Sequence, residues 1–423
     1  MRRIAPVLVV AALLTHVPPA GAARWSEPHA IETEVPSFGP AADLNARGDA
    51  LIAWTGGDRV WASFAPRGRG FSKPVAIEGA PGGSELKVAL DDRGNATVGW
   101  LHFDRSVVGD PEERFPAEDC CQRFAGAVRP AGRRAFGKAR ILSRGGSDVG
   151  SFDLDAGHSG GGFLWSDSRG LTAAFGTARG EVEPSRQVGP RGVLASLLIR
   201  RDGTASLVAG FGDGALVERV RGREGTVGPA RTIARAGSDA FLTDRWADRG
   251  GNEFAEWSSE EAALWSTRPR GGSYASPRRM RAPKTYPPSY PQAIAMAPDG
   301  GVVTIWDDNT SVLSSFRKPG GVFGGLARVA SVNGGTAFPE VSLGDGGRGM
   351  AAWSVSYYPE PGTDSVFARR LRGGKPEGSL KRLRLSPGSA APAHGASVAT
   401  SASGDALVAW WESPGRIAYA RFE

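Results

Sequence analysis

The sequence predicts an all-β fold made of one repeated supersecondary unit, and three observations lead to this prediction. A glycine followed six positions later by a tryptophan recurs along the chain, and most copies lie 44 to 49 residues apart. Short apolar segments alternate with turns rich in Gly, Asp and Pro, as in antiparallel sheets. No segment has the periodicity of an amphipathic helix. A repeat of this length with four short strands is typical of a propeller blade.

Six of the eight copies keep both residues of the pattern, and two copies keep only one. The complete copies are Gly48/Trp54, Gly94/Trp100, Gly251/Trp257, Gly300/Trp306, Gly347/Trp353 and Gly404/Trp410. The other two are Ser159/Trp165 and Gly203/Ala209. Alternate residues of a strand share a face, so Trp54 lies on the same face as the apolar residues Ala50 and Ile52. We therefore expect these tryptophans to pack between blades and not to form a sugar-binding ladder.

The first unit shows the expected order of strands. Its four strands are predicted at residues 42–45, 50–54, 59–64 and 71–77, separated by glycine-containing turns. Equivalent fourth strands are expected at 136–141, 227–233, 274–277 and 323–329. Several of them contain proline, which cannot donate to a β-ladder and therefore indicates the outer edge of a blade.

The two ends of the chain complement each other. The last unit, which begins near Ser397, stops after its third strand, while residues 24–31 match the missing fourth strand. The sequence therefore predicts an eight-bladed β-propeller of four-stranded antiparallel blades. The ring is closed by the N-terminal strand, which completes the C-terminal blade. Closure of this kind leaves no open blade face at the seam.

Residues 1–22 have the pattern of a signal peptide. Arg2 and Arg3 precede the apolar run 4–14, and Ala20-Gly21-Ala22 supplies the small residues of a cleavage site. The run is shorter than the about 20 residues needed to span a bilayer. We expect residues 23–423 to form a single β-propeller domain without a membrane span. This domain is expected to be secreted, to the extracellular space or the periplasm.

The formal net charge is +7, and two of these charges belong to the leader. The 44 acidic residues are spread among the 51 basic ones, which does not favour nucleic-acid binding. The expected strand order does separate the charges. Arginines concentrate in the turns between strands 3 and 4, including Arg129, Arg268 and Arg317, and acidic residues in those between strands 2 and 3, including Asp167 and Glu412. The pattern predicts either a polarised disc or ordinary solvated turns.

The longest connections offer candidate binding residues. Two expanded turns, at about 102–123 and 354–364, and the connection 283–291 are all expected on the acidic face. Because binding residues often lie on loops of a rigid scaffold, the candidates are Glu112, Glu113, Tyr286, Tyr290, Tyr357 and Tyr358. Tolerated surface insertions would give the same pattern.

Cys120 and Cys121 are adjacent and are the only cysteines. They could form a vicinal disulfide, although a trans peptide holds their Cα atoms only about 3.8 Å apart. Bridges to a second chain or two thiols are the alternatives. Such a pair in an eight-bladed ring resembles the quinone-dependent alcohol dehydrogenases, but the tryptophan-docking repeats of that family are absent. The histidines are scattered without metal-ligand spacing. We therefore expect no metal and no cofactor.

The whole mature chain resembles secreted bacterial proteins of the β-propeller repeat type. The resemblance rests on the form of the repeat and includes no catalytic motif, so it implies a fold and no activity. We expect a monomeric, non-enzymatic binding or scaffold module for an extracellular glycan, peptide or protein. The alternative is an extracellular polysaccharide-acting hydrolase or lyase with carboxylates at the mouth of the propeller. A quinone-dependent dehydrogenase is a more remote alternative.

Overall fold

The computed structural model describes residues 24–31, 33, 35–103, 122–144, 148–157, 161–235, 241–259, 262–283, 291–308, 310–332, 335–356, 365–385, 393–412 and 415–423. Within these ranges no helix is long and apolar enough to cross a lipid bilayer. The only helical element described there is a single 3-10 turn, Asp345–Gly347.

The first half of the ring consists of four blades, each a four-stranded antiparallel sheet with its strands in chain order. Blade 1 contains β2 Ser37–Leu44, β3 Ala50–Gly56, β4 Arg59–Ala65 and β5 Val75–Pro81. Blade 2 contains β6 Ser84–Leu90, β7 Ala96–Phe103, β8 Gln122–Arg129 and β9 Arg140–Ile141. Blade 3 contains β10 Val149–Asp155, β11 Gly162–Asp167, β12 Gly170–Phe175 and β13 Arg186–Gly189. Blade 4 contains β14 Leu194–Ile199, β15 Ala205–Gly210, β16 Ala215–Arg221 and β17 Arg231–Arg235.

The second half repeats this arrangement, and its last blade includes the N-terminal strand. Blade 5 contains β18 Phe241–Ala247, β19 Glu253–Ser258, β20 Ala263–Arg268 and β21 Arg278–Arg279. Blade 6 contains β22 Ala293–Met296, β23 Val302–Asp307, β24 Ser311–Arg317 and β25 Ala327–Ser331. Blade 7 contains β26 Gly335–Leu343, β27 Arg348–Ser356, β28 Ser365–Arg372 and β29 Lys375–Leu383. Blade 8 contains β30 Ala393–Thr400, β31 Ala406–Glu412, β32 Arg416–Phe422 and β1 His29–Ile31.

The ring closes as the sequence predicts. Strand β1 pairs antiparallel with β32, with Ala30 opposite Ala418. Ahead of β1, the backbone N–H of Arg24 donates to the carbonyl of Glu423 at 2.7 Å, and that of Ser26 donates to Arg421 at 2.8 Å. The N-terminal segment therefore supplies the outer strand of the last blade, and the predicted eight-bladed propeller is confirmed.

The recurrent tryptophans lie in the core between blades, as expected. All seven are at most 2% exposed. Each packs on the preceding blade: Trp54 of blade 1, for example, clusters with Leu407 and Ile417 of blade 8. The repeated glycine turns the chain from strand 1 into strand 2 with a positive φ, 86° at Gly48 and 92° at Gly94, which a residue without Cβ adopts at little cost.

The fourth strands begin later than expected. The segment predicted at 274–277 is not in the ladder, which is formed by Arg278–Arg279. Its first residue, Tyr274, packs beside the core between blades 4 and 5. Phe71 and Phe136 have the same role in blades 1 and 2. Because these aromatic side chains enter the interface, and a proline or glycine follows them, the backbone pairs only a few residues further on.

Candidate functional site

The innermost strand of each blade borders the central axis and has a ladder partner on one side only. Six blades contain a shift of register in this strand. The shift of blade 3 lies at Val149/Ser151, and those of the other five lie at Phe38/Ala41, Ser84/Lys87, Leu242/Asp244, Ala337/Glu340 and His394/Ser397. A bulge of this kind turns a side chain away from the regular alternation of the strand. The residue just after the shift therefore occupies an equivalent position in each of these five blades.

We call this position, which pairs with the residue before the tryptophan slot, the channel ring. Its eight members are Ala41, Lys87, Asp153, Ser196, Asp244, Ala293, Glu340 and Ser397. Four of them are ionisable. The charge of Lys87, in blade 2, acts on Asp244 in blade 5 and on Glu340 in blade 7. These blades are not neighbours in the ring, so the charges act on one another across the axis.

Several polar residues at this level hold neighbouring blades together. Asp153 of blade 3 accepts a hydrogen bond from the backbone N–H of Leu197 in blade 4 at 2.8 Å. Asp155 accepts one from Ile199 at 2.7 Å, and Asp43 of blade 1 accepts one from Leu90 of blade 2 at 2.7 Å. Such edge N–H groups have no ladder partner of their own. These aspartates are therefore structural.

Lys87 is also held in place by blade 3. Its ammonium group donates to the carbonyl of Phe152 at 3.1 Å. It lies 5.0 Å from the centroid of the Phe152 ring, where the face of the ring attracts a cation. The position of this positive charge is therefore fixed by the wall of the channel.

Asp244 and Glu340 differ from the structural aspartates. One carboxylate oxygen of Asp244 accepts the backbone N–H of Arg245 at 2.7 Å. No hydrogen-bond partner for its other oxygen, or for either oxygen of Glu340, occurs among the described residues. Both side chains are exposed to the channel. A carboxylate can accept about four hydrogen bonds, so these two residues have acceptor capacity for a ligand.

The environment raises the pKa of four carboxyl groups at or near the channel. Desolvation raises the pKa of Glu340 to about 7, although the Lys87 charge opposes the rise. Desolvation also raises the pKa of Asp244, and the negative charge of Asp153 adds to the effect. In the wall, desolvation raises the pKa of Asp155 to about 7 and that of Asp43 to about 6. Glu340 therefore exchanges its proton near neutral pH.

The binding residues predicted from the long connections lie outside the described residues. This holds for Glu112, Glu113, Cys120 and Cys121 in 104–121, for Tyr286 and Tyr290 in 284–290, and for Tyr357 and Tyr358 in 357–364. The strands that these connections join, β7 to β8, β21 to β22 and β27 to β28, have the predicted order.

The predicted separation of charge is partly wrong, because five of its residues are buried. Arg129, Arg268 and Arg317 are at most 5% exposed, as are Asp167 and Glu412. Arg129 stacks 4.1 Å from the ring centroid of Phe64 in the preceding blade, and its guanidinium donates to the carbonyls of Arg133 and Gly94. Asp167 and Glu412 accept the indole N–H groups of Trp165 and Trp410. These charges support the blades and do not form a surface field.

The sequence contained a signal for the channel ring that motif reasoning missed. Lys87, Asp244 and Glu340 each stand seven positions before the repeated glycine of their blade, at Gly94, Gly251 and Gly347. Among the described residues, no group of three or more His, Cys, Asp or Glu side chains is arranged to hold a metal ion.

Comparison with known proteins identifies solved structures only. No family model matches the chain, and no curated protein matches it. An inactive variant of virginiamycin B lyase from Staphylococcus aureus is similar at 9% identity and a TM-score of 0.49, over 94% of this chain and 99% of that chain. The BP39L lectin from Burkholderia pseudomallei is similar at 11% identity and a TM-score of 0.49, over 90% and 98%. A fungal alcohol oxidase with bound copper has 11% identity and a TM-score of 0.47, over 95% and 98%. At these values the likenesses support no statement about activity.

Proposed function

We propose that this protein is a secreted, monomeric binding module whose extracellular ligand enters the propeller channel and contacts Asp244, Glu340 and Lys87. The observation that carries the proposal is that these three charged residues lie on the channel ring and interact electrostatically across the axis. Two carboxyls with open acceptor positions face a fixed ammonium group. Hydroxyl groups of a glycan can donate to the carboxylates and accept from the lysine, and this supports a glycan over an apolar ligand.

The rigid ring of eight blades also supports a binding role. The eight blades are joined by apolar cores and by side-chain bonds between innermost strands. Groups mounted on such a frame lose little conformational freedom when a ligand binds, which favours affinity.

An extracellular hydrolase or lyase is the second candidate, and the pKa of Glu340 favours it. A carboxyl that titrates near pH 7 can serve as a general acid or base at neutral pH. Asp244 would be the second carboxyl of such a pair. An enzyme of this kind would release product, whereas a binding module would only retain the ligand.

Glycan and peptide arrays with the full-length protein test the proposal. We expect a bound glycan to be lost when Asp244→Asn and Glu340→Gln are combined. The control is Glu181→Gln, because Glu181 lies exposed in an outer turn of blade 3. A reducing-sugar assay on the same glycans separates the two candidates: turnover that the double variant abolishes would establish the enzyme. Binding that the double variant leaves intact would contradict a channel site.

The leader is tested by expression of the full chain in a bacterial host. A secreted module should accumulate outside the cytoplasm with a new N-terminus at Ala23 or Arg24. Retention of Met1 in a cytoplasmic fraction would contradict secretion.

A further inference from the structure

The seam between blades 8 and 1 contains a groove distinct from the channel. Its volume is about 730 Å³, within the range of small-molecule sites. The N-terminal segment and β32 form one wall, and the turn Gly68-Arg69-Gly70 of blade 1 forms the other. The groove therefore exists only because the ring is closed by the two ends of the chain.

The groove is rich in positive charge. Arg24 and Arg69 are exposed at its rim, and the guanidinium of Arg421 lies at its base over the ring of Phe71, 5.5 Å from the centroid. The single carboxylate side chain in the lining is Glu423, which is 3.5 Å from Arg421. Three arginines against one carboxylate leave an excess of positive charge for an anionic ligand.

Arg421 has an unsatisfied donor. Its side chain is 12% exposed, and its Nη2 atom is buried without a hydrogen-bond partner among the described residues. A buried guanidinium donor that bonds to nothing costs free energy. Because this atom is closed to solvent, a ligand in the groove reaches the guanidinium through the exposed part of the side chain. A carboxylate fits the fork of a guanidinium especially well.

The groove also offers flat ring surfaces. The imidazole of His29 is exposed and lies on Tyr419, with ring centroids 5.4 Å apart and planes inclined by 32°. Trp25 is half-buried and meets Phe422 edge to face at 5.6 Å. Each aromatic side chain is therefore fixed by a second ring. Such surfaces can stack on the apolar faces of sugar rings. The groove therefore offers stacking surfaces in addition to positive charge.

We propose that the seam groove binds an acidic saccharide, a short oligosaccharide of uronate units. The carboxylates bind Arg421 and Arg69, while a sugar ring lies on Trp25 or His29. This site goes beyond the proposed channel function because it uses a different surface. The positive charge alone would also attract an acidic peptide. The carboxylates of such a peptide would leave the fixed aromatic rings uncontacted, whereas a sugar ring would stack on them, so the rings favour the saccharide.

Titration calorimetry of the full-length protein with tri-galacturonate at low ionic strength tests the site. Arg69→Glu should weaken binding about tenfold or more, because a charge-assisted contact is replaced by repulsion. Arg133→Glu is the matched control. Arg133 occupies the same place in the corresponding turn of blade 2 and is also exposed. Its backbone N–H donates to the carbonyl of Pro130, as that of Arg69 donates to the carbonyl of Pro66.

Four further arms sharpen the result. The neutral trisaccharide maltotriose should not bind, and 0.5 M salt, at about 4 Å Debye length, should weaken the uronate. Hexaglutamate should bind far more weakly than tri-galacturonate. The channel variant with Asp244→Asn and Glu340→Gln should bind tri-galacturonate like the unmodified protein, so failure of the channel proposal leaves this one standing.

Four outcomes would overturn the seam site. The first is no measurable binding of tri-galacturonate, and the second is an equal loss of affinity in Arg69→Glu and Arg133→Glu. The third is binding of maltotriose as tight as that of tri-galacturonate. The fourth is equally tight binding of hexaglutamate that Arg69→Glu weakens to the same extent. The last outcome would assign the groove to acidic peptides. Circular dichroism of both variants verifies that the exposed turn substitutions leave the fold intact.

Discussion

The interface between blades 1 and 2 and the interface between blades 4 and 5 solve the same packing problem in different ways. In the first, Ala96, Val98 and Trp100 of β7 pack against the apolar residues of blade 1. In the second, the corresponding face of β19 carries Glu253, Ala255 and Trp257. The residue four positions before the tryptophan is thus a buried carboxylate in blade 5 and an alanine in blade 2.

Glu253 is compensated by an ion cluster that we define as Glu218, Arg245, Glu253 and Arg268. Each member is at most 3% exposed. Arg245 lies 3.0 Å from Glu253, and Arg268 donates both to Glu253 at 2.8 Å and to Glu218 at 3.1 Å. Tyr274 donates a further bond to Glu253 at 3.0 Å. The four buried members carry two positive and two negative charges, so they compensate one another. Arg200 and Arg231 extend the network towards the surface, 3.2 Å from Glu253 and 3.1 Å from Glu218.

The comparison teaches that the same place on the blade accepts either apolar atoms or a complete set of charges. An apolar interface loses stability in proportion to the atoms removed. A buried ion cluster loses much more when one partner is removed, because the remaining charges stay buried without compensation. The two interfaces should therefore respond very differently to single substitutions and to pH.

The largest effect is expected from Glu253→Gln. Removal of this charge leaves Arg245 and Arg268 with one carboxylate between them, and the free energy of unfolding should fall by about 3–5 kcal/mol. Urea unfolding followed by tryptophan fluorescence measures it. Glu181→Gln, an exposed change of the same kind, should cost less than about 0.5 kcal/mol.

The reverse change sharpens the same comparison. Ala96→Glu would place a carboxylate at the equivalent point of the interface between blades 1 and 2. The packed side chains there are apolar, and the buried Arg129, opposite Ala96 on β8, already donates to two backbone carbonyls. We expect a destabilisation as large as that of Glu253→Gln. A stable Ala96→Glu protein would contradict the view that the ion cluster is required to bury Glu253.

The second largest effect is expected on the stability of the folded protein at acidic pH. Burial alone would raise the pKa of Glu218, but hydrogen bonds from Arg268 and Ser206 outweigh it and hold the pKa at about 2, below the usual 4.5. A lowered pKa in the folded state gives stability that is present above pH 4.5 and is lost as pH falls towards 2. The contribution is about 3 kcal/mol.

Unfolding of the unmodified protein and of Glu218→Gln at pH 6 and at pH 2.5 measures this contribution. The difference between the two proteins should be large at pH 6 and should shrink at pH 2.5, since the carboxyl is partly protonated there. An equal difference at both pH values would show that the charge of Glu218 does not stabilise the interface.

The sequence predicts the apolar part of this architecture better than the ionic part. The Gly-x5-Trp pattern marks strand 2 of each blade, and the complementary chain ends predict the closed ring. Arg268, however, stands next to Pro269 and reads as a turn residue. Only the packing of blade 5 on blade 4 shows that its side chain turns inward to Glu218. Its partners Glu253 and Glu218 lie 15 and 50 residues away along the chain, so no local pattern reveals them.

The channel was missed for a related reason. A bulge precedes Asp244 and Glu340 in their strands, and it breaks the alternation by which inward and outward residues are recognised. The sequence directed attention to long connections instead, and those candidates lie outside the described residues. The distance of seven residues from the repeated glycine is a signal that survives the bulge, because the bulge precedes this position and the rest of the first strand and its turn have the same length in these blades.

The smallest effect is expected at a third kind of contact, the bond between innermost strands. Ser397 of blade 8 accepts the backbone N–H of Ala42 in blade 1 at 3.0 Å. Ser397→Ala leaves that N–H at the edge of a solvated channel, where water can replace the hydroxyl, so the loss should be about 1 kcal/mol. The exposed Ser276→Ala is the control. If Ser397→Ala lowered the free energy of unfolding as much as Glu253→Gln does, the interface between blades 8 and 1 would depend on this bond. The apolar core around Trp54 would then be insufficient to hold the two blades together.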